Sequence, residues 1–170
     1  MKAVSVSELK KELKYYSQQE LIEVCLHLAK YKKDNKELLT YLLFESENEG
    51  RYIQGIKEEI DVGFAEINLG SIYYIKKSSR KILRLIKKYI RYSKNKETEA
   101  EILLYFCGKL KALSSLHGYS QQMSNMFKTQ LRLASNAIDS LHEDVQYDLN
   151  LEIEKLKDSE FKWLELMHSV

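Results

Sequence analysis

The chain has 170 residues, 27 Lys or Arg against 25 Asp or Glu, 44% hydrophobic residues, six Gly and no Pro. That length and apolar content suit one domain with a core of useful size and exclude wholesale disorder. Average usage would supply about eight Pro, and β-rich folds lean on Gly and Pro at their turns, so the composition points to long helices with few breaks.

In chain order, three capping boxes predict helix starts: Ser5 with Glu8, Ser17 with Glu20, and Asp34 with Glu37. In each, the first side chain accepts from a free backbone N–H and the Glu reaches back to the capping residue's own N–H. A short first helix follows over "SELKKELKYY". The second runs over "QQELIEVCLHLAKYKK" with Leu21, Cys25, Leu28 and Ala29 inward, and the third over "NKELLTYLLFES". A fourth is predicted from Tyr52, Ile53, Ile56, Ile60 and Phe64, which recur at three or four. Gly55 and Gly63 weaken it or mark a neighbouring helix close by, and Gly70 reads as its C-terminal cap. The fifth runs from about Ser71 to Ser93, followed by a polar loop, "SKNKETEAE", within which Ser93 to Thr98 is the best place for a domain boundary.

A sixth helix carries "EAEILLYFCGKLKALSSL" and ends near Gly118. The seventh begins near Ser120, with Phe127, Leu131, Ala134, Ile138, Leu141 and Val145 spaced as a heptad-like seam. "YDLNLEIEKL" alternates briefly as a strand would, but no second strand could pair with it, so it is read as helix. The expectation is a single all-α domain of about eight antiparallel helices in hairpins, either a bundle or an irregular solenoid. The hairpin plan is similar in architecture alone to helical repeat proteins of the HEAT and TPR kind. Hairpin starts near residues 5, 35, 71 and 119 exclude a strict repeat, no signature residues match, and no functional residue carries over.

One segment raises a functional question. Ile75 to Lys96 holds ten Lys or Arg and no acid, which leaves 17 basic and 25 acidic residues elsewhere, a net of −8. Acid collects from Asp139 on: Asp139, Glu143, Asp144, Asp148, Glu152, Glu154, Asp158, Glu160 and Glu165. At about 100° per residue, Lys76, Lys77, Arg80, Lys81, Arg84, Lys87, Lys88 and Arg91 fall within about 140° of arc, opposite an apolar face. Like charges at i and i+4 repel by a few tenths of a kcal/mol per pair, a cost that a counter-charge removes. That counter-charge is internal, in the acidic C-terminal region, or external: an acidic protein surface, nucleic-acid phosphates or anionic headgroups. Membrane contact is not expected, because it would pull the apolar face out of the core. Tyr73, Tyr74, Tyr89 and Tyr92 are read as core residues rather than base-stacking ones.

No catalytic or metal motif is legible. Glu165 and His168 have the i, i+3 spacing of di-iron bundles, but such sites need the motif twice. Glu23 with His27, and His142 to Asp144, are isolated clusters. His117 has no motif around it, and Cys25 and Cys107 are read as reduced core residues. No phosphate-binding loop or nucleophile motif occurs, and no cofactor is expected. Trp163, Phe161, Leu164 and Met167 form an apolar C-terminal patch suited to capping the core. With no secretory or spanning segment, the expected location is cytoplasmic. The expected function is a non-enzymatic interaction or scaffold module that binds a protein partner or itself, with a sequence-tolerant nucleic-acid binder as the alternative.

Overall fold

The computed structural model describes residues 2–117 and 120–167, the side chains of 114–117 and 158–167 excepted. Among them lie eight α-helices and no strand: α1 Val6–Leu13, α2 Gln18–Tyr31, α3 Lys33–Thr40, α4 Glu49–Ala65, α5 Ile72–Ser93, α6 Lys96–His117, α7 Gln121–Ile138 and α8 Glu143–Met167. A π-helical turn, Tyr41–Glu45, follows α3. The all-α expectation is met, and the doubtful segment in α8 is helical. The chain divides into two compact units, Met1–Glu45 and Ser46–Val170.

In the first unit, two predicted capping boxes form. The Ser5 hydroxyl accepts from Glu8 N–H while Glu8 accepts from Ser5 N–H, and Ser17 with Glu20 repeats the arrangement. Each serine hydroxyl also donates to the glutamate carboxylate at 2.7 Å, and that bond first, then the one from the serine N–H, holds the Glu8 and Glu20 carboxyls below the usual range. The third box does not form. The capping residue of α3 is Lys32, without a side-chain hydrogen bond, and Asp34 lies inside the first helical turn. There its charge still complements the helix dipole. None of α1, α2 or α3 buries a residue completely. Cys25 and Leu28, expected inward, are exposed, and Leu21 and Ala29 are half-buried. A segment of 45 residues has too little volume to enclose both faces of its helices.

The second unit holds the main core. Helix α6 is its axis and packs against α4, α5, α7 and α8. Ala100, Ile102, Leu103, Leu104, Phe106, Cys107 and Leu110 of α6 are all buried. A helix apolar around most of its circumference belongs at the centre of a packed unit. The predicted inward residues of α4 (Ile53, Ile56, Ile60) and α7 (Phe127, Leu131, Ala134, Ile138) join the same core, with Tyr52, Phe64, Leu141 and Val145 partly buried at its margin. Burial pushes the Cys107 thiol up to about 12, so it stays protonated; Cys25 departs from the core reading.

Two local expectations change. Gly70 is not a helix cap, because α4 closes on Glu66; the Gly70 N–H instead donates to Asn68 Oδ1 in the α4–α5 link. The polar loop after α5 shrinks to Lys94 and Asn95, and "KETEAE" is already helix. Lys94 takes the left-handed conformation (φ 54°), which turns the chain at once. Asn95 Oδ1 accepts from Glu97 N–H, and Glu97 and Glu99 sit in the first turn, where acids suit the helix dipole. Polar composition there signals an exposed helix start rather than a loop. The buried Thr98 hydroxyl donates to the Glu49 carboxylate, tying the start of α6 to the start of α4.

An ion-pair bracket joins α4 to α6. Lys109 Nζ lies 2.7 Å from Asp61 Oδ1, and the Tyr105 hydroxyl donates to both Asp61 oxygens at 2.7 and 2.8 Å. Lys57 meets Glu101 at 2.8 Å, and the two ammonium groups stand 5.7 and 5.2 Å from the Tyr105 ring centroid. The Lys109 and Tyr105 hydrogen bonds hold the Asp61 carboxyl low, and the Asp61 contact raises Lys109. A depressed carboxyl stabilises the fold above its unfolded pKa of about 4 and loses that contribution as pH falls. A raised lysine contributes below its unfolded pKa of about 10.4 and loses it as pH climbs further. Between those limits Asp61→Asn is expected to lower stability by about 0.2–1 kcal/mol, small because the groups are partly solvated. In urea titrations the difference between wild type and variant should shrink at pH 3; an undiminished difference there would contradict the ion-pair account.

Candidate functional site: the outward faces of α5 and α7

Helix α5 is built to face two ways. Ser71 caps it by accepting from Tyr73 N–H, and Ile75, Ser79, Ile82 and Ile86 are its buried residues. Those four cluster within about 60° of the helical wheel, which places the opposite side outward. There Lys77, Arg80, Lys81, Arg84 and Arg91 are exposed, while Lys76, Lys87 and Lys88 are half-buried at the margins. The structure therefore brings all eight predicted residues onto one helix, five fully outward. No carboxylate among the described residues forms an ion pair with Lys76, Lys77, Arg80, Lys81, Arg84, Lys87 or Arg91. Lys88 differs: its ammonium stands 5.1 Å from the Tyr89 ring centroid, and it makes a further interaction. The acidic helix α8 packs on α6 and α7. Internal neutralisation by that helix is not what the described side chains do.

Two features lay beyond the sequence reading. Tyr73 and Tyr74, expected in the core, are 59% and 48% exposed, with ring centroids 5.4 Å apart edge to face. On the wheel Tyr73 falls on the cationic face itself, between the directions of Arg80 and Arg84, so the period could have found it. Tyr89 and Tyr92 do sit inward in part. The Tyr89 hydroxyl donates to Glu59 at 2.9 Å, and its carbonyl accepts from Tyr52 at 3.1 Å.

The second feature is α7. Arg80 donates to Gln122 Oε1 at 3.4 Å, which links the cationic face of α5 to the first turn of α7. Gln121 to Ile138 contains no acid, and its exposed side carries Gln121, Gln122, Asn125, Lys128, Thr129 and Arg132. The absence of acid in α7 was legible in the sequence, whereas its adjacency to α5 was not.

Among the described residues no group of three His, Cys, Asp or Glu could hold a metal ion, and no helix is long and apolar enough to cross a membrane. His142 Nδ1 stands 3.4 Å from Asp144, with both side chains in solvent. The Glu165–His168 spacing, the His117 side chain and the patch around Trp163 lie outside the described residues. Comparison with known proteins finds no matching family model, no matching curated protein and no matching solved structure.

Proposed function

We propose that this chain is a non-enzymatic, cytoplasmic helical interaction module that presents the outward face of α5 to an acidic protein surface. The supporting observation is the row of exposed cations, Lys77, Arg80, Lys81, Arg84 and Arg91, without a carboxylate partner among the described residues. Holding like charges one turn apart costs helix stability unless an external anion offsets it. The net charge of −8 outside Ile75–Lys96 disfavours a long polyanion such as duplex DNA and is compatible with a compact partner that touches α5 alone. One observation favours the alternative, a nucleic-acid binder: Tyr73 and Tyr74 are exposed beside Lys76 and Lys77, an arrangement on which single-stranded bases can stack.

The test is a variant with Arg80, Arg84, Lys87 and Arg91 replaced by Glu, compared with wild type in capture from the native lysate after nuclease treatment. Specific proteins retained by wild type at about 50 mM salt are expected to be lost by the variant, and from wild type at about 500 mM, where exposed charges are screened. If both proteins retain the same set, α5 is not the contact surface. A parallel mobility-shift titration with duplex DNA and with RNA decides the alternative: a salt-sensitive shift lost in the variant would move the assignment to nucleic acid.

A further inference from the structure

The second unit carries a complementary face of the opposite sign. Helix α8 turns Val145, Leu149, Leu156 and Ile153 toward the core. Its other side exposes Asp144, Asp148, Glu152 and Glu154, with Lys155 exposed among them and Tyr147 (68% exposed) and Leu151 (38%) one turn apart. Asp148, Glu152 and Glu154 pair with no cation among the described residues. Each chain thus displays a cationic helix face with an exposed tyrosine pair at one end and an acidic helix face with an exposed Tyr–Leu pair. Among the described residues neither face pairs with the other.

We propose that the acidic partner of α5 is α8 of a second copy of this chain. The inference rests on the reading of α5 as a contact surface and names its occupant. The lengths suit: α5 has 22 residues and α8 has 25, about 33 and 38 Å of helix. Cations on α5 recur at three or four residues, and Asp144, Asp148 and Glu152 on α8 recur at four, so two aligned helices bring opposite charges opposite each other over those turns. Complementary potentials set orientation and speed of encounter, while the affinity comes from desolvated anchors. Tyr73, Tyr74, Tyr147 and Leu151 are side chains of that kind, aromatic or apolar and already presented outward. Each copy owns one face of each sign, so a two-fold pair would use both contacts at once.

The experiment is a charge swap in the full chain, read by sedimentation velocity at about 0.1 mM protein. One variant carries Lys77→Glu, Arg80→Glu and Arg84→Glu; the other carries Asp148→Lys, Glu152→Lys and Glu154→Lys. All six positions are exposed, which keeps the core intact. Wild type is expected to self-associate at about 50 mM salt, with affinity falling about tenfold or more by about 500 mM. Each variant alone is expected to be monomeric, because the three reversed charges on one face then meet like charges on the other. A one-to-one mixture is expected to associate again, which misfolded variants could not do. A monomeric wild type at low salt overturns the inference while leaving a foreign acidic partner for α5 open to the capture test. Association that survives in either variant alone overturns it as well, as does a mixture that stays monomeric.

Discussion

Phe106→Ala is expected to lower the stability of the second unit by about 3–5 kcal/mol. Phe106 is fully buried, on the helix that touches α4, α5, α7 and α8, and its ring is tilted 60° against Phe64 with centroids 5.7 Å apart. Truncation removes the ring's transfer free energy and opens a cavity that four neighbouring helices cannot all close. A domain of this size has about 5–15 kcal/mol in total, so about a fifth or more of it disappears. At a urea dependence of about 1–3 kcal/mol per molar, the helical circular-dichroism midpoint should fall by more than about 1 M. Val62→Ala, at a position 59% exposed on α4, should stay within about 0.5 kcal/mol of wild type. Equal effects from the two substitutions would mean that α6 is not the axis of the core.

Gly63→Val is expected to cost about 1–3 kcal/mol through overpacking, although it replaces a poor helix former. A Cβ at Gly63 would lie 3.0 Å from Ile82 Cγ1 and 3.2 Å from Ile82 Cδ1, and Ile82 is buried in α5. Something must shift there, and valine adds two methyl groups to the crowding. Gly55, eight residues earlier on the same helix, would place a Cβ in open space. Gly55→Ala should therefore stabilise by up to about 1 kcal/mol, the ordinary helical preference. The pair separates propensity from packing at one residue type. Combining Gly63→Val with Ile82→Ala should cost less than the sum of the two, since one fills space the other vacates. Strict additivity would show that α4 and α5 do not cross at Gly63.

Both results bear on the proposed contact face of α5. Its outward face is positioned by the burial of Ile75, Ser79, Ile82 and Ile86, and Gly63 lets α4 come close enough to seal that side. A loosened α4–α5 contact would free α5 to rotate, and its cationic face would turn as a whole away from its present direction.

Local rules settled much of this protein in advance. Ser5 and Ser17 cap helices as their boxes predict, and Ser71 and Ser120, where helix starts were expected, cap theirs, because capping depends on one side chain and N–H groups two or three residues away. The apolar period found the inward residues of α4 and α7, and the same period grouped the eight cations of α5. Each of these is a relation within one helix. What failed locally failed for a reason: Asp34, Gly70 and "KETEAE" were read from residue preferences that Lys32, Glu66 and Lys94 overrode at the actual helix ends.

Composition and period could also propose that α1, α2 and α3 have apolar faces, but not that a 45-residue unit leaves those faces largely uncovered. Only the tertiary arrangement could decide which charges find partners. Asp61 meets Lys109 from 48 residues away, whereas Arg84 and Glu152, equally charged and equally periodic, meet no opposite charge among the described residues. The amino-acid order determines what each helix offers on each side. Whether an offered charge is neutralised depends on distances of a few ångströms between segments far apart in the chain, and those are set by how α6 is packed on all sides.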